Sequence, residues 1–406
     1  MTDWAALAAE WLRDLAAMSE PGRGVTRLPF TQEHRAALDR LTTRMEEAGL
    51  SVRLDAAGTL IGRLDGPEGA PTLLMGSHQD SVREGGAFDG ITGVVLPVLA
   101  LRRLREEGVE LPFAVEVLSF ADEEGVRFPT ALIGPRALAD TFDPGVLEME
   151  DGDGITLRAA LEGFGLEPDA IAGLKPDPAG ILGYLETHIE QGPVLEEACE
   201  ALGVVTAISG IERHQLTLTG ETGHAGTLPM ELRRDALVGA AQIVGEVNRL
   251  ARASPDLRGT VGALSVAPNV VNAVPGVVRM SIELRSPDDA LRERAGVALQ
   301  SFAHEVAAAH GLSCEITRSY HQPAQPCDPA LSQQLTEAVR ATGGRGLTLP
   351  SGATHDASAM ADLCPIAMLF VRCHKGLSHV PEEYAQPKDL ARAIEALCSF
   401  LASARV

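Results

Sequence analysis

Short apolar runs bounded by turn residues alternate with amphipathic stretches along most of this 406-residue sequence. Apolar residues that recur every three or four positions predict two helices near the start, and short apolar runs between turn residues predict strands. The strand-like runs read GTLIGRL, PTLLMG, FAVEVLSFA, ILGYLETH, GVVTAI and IAMLFVR. This alternation predicts an α/β fold built around a mixed or mostly parallel sheet.

The pattern changes between residues 206 and 322. Strand-like and helix-like segments follow there in the order β-α-β-β-α-β, which is the split βαβ arrangement of a unit able to fold by itself. The α/β pattern then resumes. We therefore predict a discontinuous α/β domain, made of residues 1–205 and 323–406, with residues 206–322 inserted as a second domain.

Composition excludes several classes of protein. Hydrophobic residues make up 45% of the chain and charged residues 22%, which argues against disorder. Lys and Arg total 34 and Asp and Glu total 56, so the formal net charge is −22. This charge repels nucleic acid and anionic membranes, and we expect neither as a partner.

The cysteines and the first residues bear on the cellular compartment. The six cysteines form no C-x-x-C pair, and their spacing resembles neither a disulfide framework nor a thiolate zinc site. The chain opens with acidic residues, and no basic stretch leads into an apolar run, so we read no signal peptide. A cytoplasmic location with reduced thiols is expected.

Imidazole and carboxylate side chains follow several of the predicted strands, where binding sites lie in open sheets. These residues are His78, Asp80, Asp89, Glu123, Glu124, His188 and His379. Each is individually compatible with a solvated loop, an acidic turn or a structural histidine. Together, three histidines and two carboxylates suffice for two zinc-type ions if one carboxylate bridges them. In the H-x-D pair, His78 would be the ligand and the Asp80 carboxylate would orient its ring.

The predicted inserted domain has polar candidates of its own. His224 lies between glycines, Asn272 lies in a loop, and Arg285 ends a predicted strand. A turn, a cap and a solvated strand end are the alternative interpretations. Arginine, however, grips a carboxylate through two parallel hydrogen bonds, as a small anionic substrate would require.

A set of motifs that spans nearly the whole chain in order resembles the metal-dependent hydantoinase/carbamoylase family of amidases. The motifs are G-S-H-x-D-S-V, G-G-x-F-D-G, D-E-E-G-x-R-F, H-I-E-Q-G-P, G-x-x-x-H-A-G-T, N-x-V-P-G, S-G-A-x-H-D-A and G-x-S-H-x-P-x-E. The resemblance implies a zinc-exopeptidase-like catalytic domain with an inserted βαββαβ lid and dimerisation domain. It also implies a homodimer.

The resemblance further implies a role for each matching residue. His78, Asp89 and His188 would bind one divalent ion, and Asp89, Glu124 and His379 a second, with Zn, Mn or Co as the metal. Glu123 would be the general base. The residues that would bind substrate are Gln191, His224, Asn272, Arg285, Ser351 and Gly352.

The implied reaction is metal-dependent hydrolysis of a linear ureido C–N bond in a small carboxylate substrate, with release of ammonia and CO2. N-carbamoyl-L-amino acids, allantoate and β-ureidopropionate remain open as substrates. A metallo-exopeptidase or an N-acyl amino acid deacylase of the same superfamily is the alternative enzyme. A non-catalytic binding protein is a third hypothesis, but the intact Glu123 argues against it, since a pure binder needs no base.

Overall fold

The computed structural model describes residues 2–404. Its strands are β1 Ser51–Leu54, β2 Leu60–Leu64, β3 Thr72–His78, β4 Ala114–Phe120, β5 Ile181–Ile189, β6 Leu202–Ile208, β7 Gly210–Thr219, β8 Arg258–Ala267, β9 Val277–Ser286, β10 Ser313–Gln322, β11 Gln325–Pro326, β12 Leu347–Ser351 and β13 Ile366–Val371. Its α-helices are α1 Trp4–Ala16, α2 Gln32–Glu47, α3 Thr92–Glu106, α4 Ile133–Ala139, α5 Leu157–Gly163, α6 Val194–Glu197, α7 Ala236–Arg252, α8 Asp289–Ala309, α9 Pro329–Ala341, α10 Asp356–Met360 and α11 Pro387–Ser403. Short 3-10 helices cover Pro144–Glu148, Pro168–Gly173, Pro178–Gly180, Met230–Leu232 and His374–Gly376.

The chain forms two compact units. The first unit contains the residues up to Thr206, then Cys327–Leu349, and then the residues from Ala353 onward. The second contains Ala207–Pro326 and Pro350–Gly352. The second unit extends beyond residue 322 because β11 pairs with the end of β6, where Gln325 lies opposite Ile208.

A mixed sheet has the strand order β1-β2-β4-β3-β5-β13-β6-β11, and β12 pairs with β6. Its centre is parallel, because β3 pairs in parallel with β4 and β5, and β13 pairs in parallel with β5. The pairs on either side of this centre are antiparallel: β1 with β2 and β2 with β4 on one side, and β13 with β6 and β6 with β11 on the other. The predicted mixed α/β class is confirmed. Strand β1 was not predicted, since its four residues are at least partly exposed and give no apolar run.

The core of the first unit explains why these segments form. Every residue of β3 is buried, as expected for a central strand that is covered on both faces. Helix α3 packs against β3 and β5, and α1 and α11 pack against α3. Most of α3 is buried, so its sequence is apolar on nearly every side until Arg102. The loop that precedes α3 therefore leads directly into a buried helix.

The second unit is a four-stranded antiparallel sheet in the order β10-β7-β9-β8, and α7 and α8 pack against it. Along the chain its elements follow the predicted order β7-α7-β8-β9-α8-β10. Buried side chains of β7 and β9 alternate with exposed ones, and they form a separate apolar cluster with Ile243 of α7 and Leu299 of α8. Strand β8 forms one edge of this sheet and is largely exposed.

Two observations concern the surroundings of the protein. All six cysteines are free thiols, and four of them are buried. Between residues 2 and 404, no helix combines the length and the hydrophobicity needed to cross a membrane.

Candidate metal centre and active site

The parallel strands of the first unit bring the predicted ligands to one edge of the sheet. His78 is the last residue of β3, and its partner across the pair is Phe120, the last residue of β4. Glu123 and Glu124 follow β4 directly, while His188 lies near the end of β5. Since the carboxyl ends of parallel strands lie side by side, residues distant in sequence meet here.

Asp89, in the loop before α3, lies at the centre of this edge. Its Oδ1 atom is 3.0 Å from His188 Nε2 and 3.6 Å from His78 Nε2. Its Oδ2 atom is 3.3 Å from His379 Nε2, which is in turn 3.6 Å from Glu124 Oε1. The side chain of Asp89 therefore presents one oxygen to each of two clusters. In each cluster the potential ligand atoms lie within 4.8 Å of one another.

The two buried histidines have their rings fixed by main-chain carbonyls. His188 Nδ1 lies 2.9 Å from the carbonyl oxygen of Ile189, and His78 Nδ1 lies 3.0 Å from that of Asp80. In neutral rings, this places the hydrogen on Nδ1 and leaves the Nε2 lone pair facing Asp89. The backbone N–H of Gly90 also donates to His188 Nε2, at 3.2 Å, which requires that lone pair. The free Nε2 atoms are suited to bind a metal ion.

Asp80 differs from the expectation in its contacts. Its carboxylate oxygen lies 3.7 Å from His78 Nδ1, beyond hydrogen-bonding distance, so the ring is oriented by the carbonyl of Asp80 instead. The carboxylate accepts the backbone N–H groups of Glu123 and Glu124, each at 3.2 Å. Asp80 thus fixes the chain that carries these two acids. Asp80 offers two acceptors, its carboxylate and its main-chain carbonyl. The H-x-D pattern alone does not show which of them orients the ring of His78 and which accepts backbone N–H groups.

The donor set fits a divalent cation. Asp89 Oδ1 and Glu124 Oε1 are buried and have no hydrogen-bond partner among the described residues, a rare situation for a carboxylate. Burial, together with the charge of Asp89, raises the pKa of Glu124 to about 8. Burial and the charge of Glu124 raise the pKa of Glu123 well above its usual value. Crowded carboxylates and imidazoles without a thiolate are ligands that zinc, manganese and cobalt accept.

Three polar side chains surround Asp89. Gln191 Nε2 donates to Asp89 Oδ2 at 2.8 Å, and Ser378 Oγ lies 2.7 Å from the same oxygen. Glu383 Oε1 accepts the backbone N–H groups of Phe88 and Asp89 at 2.9 and 3.0 Å. The sequence analysis assigned no role to Ser378 or Glu383. The sequence feature that could have identified them is the motif G-x-S-H-x-P-x-E, which contains both residues as well as His379.

Buried groups beneath the ligands were also missed. Glu186 accepts the hydroxyl of Ser77 at 2.7 Å and the N–H of Ala357 at 2.8 Å. The ring of His355 lies 4.5 Å from that of His188 in an edge-on arrangement. The motif S-G-A-T-H-D-A contains His355, but a motif does not reveal which ring its histidine contacts. Glu186, His188 and His355 together form a further buried group whose potential ligand atoms lie within 4.8 Å of one another.

Five of the predicted substrate-binding residues belong to the second unit: His224, Asn272, Arg285, Ser351 and Gly352. The loops of His224 and Asn272 are neighbours, because the N–H of Ala225 donates to the carbonyl of Asn272 at 2.9 Å. Both side chains are exposed.

Two nitrogens of the Arg285 guanidinium already donate hydrogen bonds within the second unit. Its Nε donates to Glu283 at 2.6 Å, and one terminal nitrogen donates to the carbonyl of Gly352 at 2.7 Å. Ser351, next in the chain to Gly352, is buried, and its carbonyl accepts the N–H of Ser209 at 2.9 Å. The Arg285 guanidinium and the Ser351–Gly352 main chain therefore lie together.

Comparison with known proteins places the chain in a family. The profile of Peptidase family M20/M25/M40, which is metal-dependent, matches residues 74–403. The chain is 40% identical over 379 residues to an N-carbamoyl-L-amino acid amidohydrolase of Geobacillus stearothermophilus, and the alignment covers 93% of each chain. It is 36% identical over 424 residues to an allantoate deiminase of Arabidopsis thaliana, with coverage of 97% of this chain and 81% of that protein.

A solved structure agrees with these relatives. The amidase of the hydantoinase/carbamoylase family from Burkholderia multivorans superposes with a TM-score of 0.92 and 34% identity, over 98% of this chain and 97% of the other. The resemblance drawn from the motifs is therefore confirmed. The chain belongs to peptidase family M20/M25/M40 and, within it, to the hydantoinase/carbamoylase amidases, enzymes that hydrolyse amide C–N bonds other than peptide bonds.

Proposed function

We propose that this enzyme uses two divalent metal ions to hydrolyse the linear ureido C–N bond of an N-carbamoyl-L-amino acid or of allantoate. The observation that carries the proposal is the position of Asp89, whose two carboxylate oxygens face two separate ligand clusters. The names of the relatives, an N-carbamoyl-L-amino acid amidohydrolase and an allantoate deiminase, support the substrate class. Both substrates carry a ureido group and a carboxylate.

The ligands follow from the two clusters. One ion would be held by His78, Asp89 and His188, and the second by Asp89, Glu124 and His379, so Asp89 would serve both. Divalent ions at these positions lower the pKa of water and polarise a carbonyl group. Zn, Mn and Co each accept this set of nitrogen and oxygen donors.

Glu123 is the general base in this proposal. It lies in a third group of potential ligand atoms with His78 and Glu124, all within 4.8 Å, and its main-chain N–H is held by Asp80. The Glu123 carboxylate takes a proton from the attacking water and returns it to the leaving nitrogen. One water is consumed, the carbonyl carbon–nitrogen bond breaks, and the carbamic acid that results yields ammonia and CO2.

Recognition of the substrate is assigned to groups with complementary chemistry. Arg285 binds the carboxylate, with the Ser351–Gly352 main chain adding contacts. Gln191, His224 and Asn272 bind the ureido group. Gln191 Oε1 is buried without a partner among the described residues, so it is free to accept a ureido N–H.

We also propose a homodimer that forms through the second unit. Strand β8 is an exposed edge of its sheet, and Leu264 on this strand and Val270 and Val271 after it are exposed apolar residues. Unpaired edges with apolar side chains pair readily with a second copy.

Light scattering at working concentration should give twice the mass of the chain. Mixing inactive Glu123→Gln and His224→Ala proteins should restore part of the activity if His224 serves the partner's site.

The function is tested by ammonia release. The purified enzyme is stripped with a chelator, reloaded with Zn, Mn or Co, and offered N-carbamoyl-L-amino acids, allantoate and β-ureidopropionate. A dipeptide and an N-acetyl amino acid are the controls. We expect ammonia from a ureido substrate only after metal is restored, and no amine release from the controls. Turnover of the dipeptide or the N-acetyl amino acid in place of the ureido substrates would instead identify an exopeptidase or a deacylase.

A further inference from the structure

Glu383 connects the loop of Asp89 to the loop of His379. Its Oε1 atom accepts the N–H groups of Phe88 and Asp89, at 2.9 and 3.0 Å. Its Oε2 atom lies 2.9 Å from the hydroxyl of Ser378, the residue before His379. The Glu383 side chain is buried, with 4% of its surface exposed. One carboxylate thus spans two loops that are far apart in sequence.

A glycine leaves room for this carboxylate. A Cβ atom added at Gly86 would overlap the Glu383 side chain, including its Oε1 atom. Gly86 belongs to the motif G-G-x-F-D-G, which also contains Asp89. The contact between the Glu383 carboxylate and the Asp89 loop therefore depends on Gly86 as well as on Glu383.

Ser378 has one hydroxyl hydrogen but two acceptors for it. Asp89 Oδ2 lies 2.7 Å from Ser378 Oγ, and Glu383 Oε2 lies 2.9 Å from it. Gln191 Nε2 donates to the same hydroxyl oxygen, at 3.3 Å. When the hydrogen is directed to Glu383, Asp89 Oδ2 keeps more of its negative charge for a cation on the side of His379.

We propose that Glu383 is a positioning residue that sets the cation affinity of the cluster formed by Asp89, Glu124 and His379. The proposal rests on the proposed function, in which that cluster holds a divalent ion. Glu383 acts through Asp89 and through the loop of His379. Among the described contacts, Ser378 links Glu383 to Asp89 Oδ2, the oxygen on the side of His379, whereas Asp89 Oδ1, which faces His78 and His188, is reached through the main chain of Asp89. Loss of Glu383 should therefore weaken one ion much more than the other.

The test is a metal titration of the stripped protein with Zn²⁺ alone, in competition with a chromophoric chelator. The wild type should bind two ions. Glu383→Ala should keep one affinity within about threefold and weaken the other by roughly 10- to 100-fold, the usual cost of losing a partner behind a ligand. Glu383→Gln should show an intermediate loss of that same affinity, because its amide oxygen still accepts both N–H groups, whereas its nitrogen would donate to Ser378 and turn the hydroxyl hydrogen towards Asp89 Oδ2. Glu382→Ala is the matched control, since Glu382 is exposed and its ion-pair partner among the described residues is Arg23, at 3.5 Å.

Glu383→Asp is a second variant that keeps the proposal testable if Glu383→Ala does not fold. It keeps the buried carboxyl group but is one methylene shorter and cannot reach both loops, so it should show the same selective loss, by about 10-fold. Wild-type affinity for both ions in the variants, or equal weakening of both ions, would overturn the proposal. A wild type that binds no ion would refute the proposed function instead, so the two failures are distinguishable.

Discussion

Asp89 Oδ1 lies 3.0 Å from His188 Nε2, although the hydrogen of a neutral His188 ring is directed to the carbonyl of Ile189. Two lone pairs at this distance repel each other unless positive charge is present. Burial disfavours the protonated ring, but the neighbouring Asp89 carboxylate raises the pKa of His188 to about 9. The pair therefore calls for positive charge, which a proton on Nε2 or the proposed metal ion would supply.

The shared carboxylate gives the first prediction. Asp89→Ala should lose most of both ions, whereas His379→Ala should retain about one ion per chain, because only Asp89 faces both clusters. Elemental analysis of the purified proteins measures this directly. His374→Ala is the control, since His374 is exposed and its ring lies 3.1 Å from Glu196. Two retained ions in Asp89→Ala would contradict the bridging role.

The adjacent acids Glu123 and Glu124 give the second prediction. Glu123→Gln should keep its metal while kcat falls by about 10²- to 10⁴-fold, because the amide cannot accept a proton. Glu124→Gln should lose or weaken one ion. Steady-state kinetics and metal analysis of the same preparations separate the two roles. If Glu123→Gln retained most of the activity, another residue would have to be the base.

Arg285 gives the third prediction. Arg285→Lys keeps the positive charge but loses the planar fork, so KM for a carboxylate substrate should rise by about 10-fold with a smaller change in kcat. Arg213→Lys is a matched control, because Arg213 binds the same Glu283, at 2.6 Å, from an exposed position. Equal KM values for the wild type and Arg285→Lys would remove Arg285 from the binding site.

Asp55 gives a fourth prediction that concerns stability. It accepts the N–H groups of Ala57 and Thr59, each at 2.9 Å, and burial raises its pKa from 3.8 to about 6. The folded state thus binds the proton more tightly than the unfolded state. Its contribution is most favourable below pH 3.8 and is lost as the pH rises towards 6.

Relative to the wild type, Asp55→Asn should therefore gain stability as the pH rises from about 4 to above about 6, by up to about 3 kcal/mol. The gain should shrink as the pH falls towards 4. Thermal unfolding with a chelator present, at pH 4.5 and at pH 7.5, measures the difference without a metal contribution. The same difference in Tm at both pH values would show that Asp55 is not the titrating group.

The sequence by itself was sufficient to predict the α/β class and the potential metal ligands that cluster in the structure, which are His78, Asp89, Glu124, His188 and His379. Apolar runs that end in His78, in Glu123 and Glu124, and in His188 were recognisable because a buried strand must be apolar while its exit can be polar. The motifs were sufficient to indicate the amidase family.

Only the tertiary structure decided which atoms face one another. The parallel pairing of β3, β4, β5 and β13 brings His188 within 3.0 Å of Asp89 across 99 positions of sequence. The contact of Glu383 with the N–H of Asp89 spans 294 positions, and the carboxylate of Asp80 turned out to hold main-chain N–H groups rather than the ring of His78. Strand periodicity fixes which side of a strand a residue occupies, but these contacts depend on loop paths that packing determines.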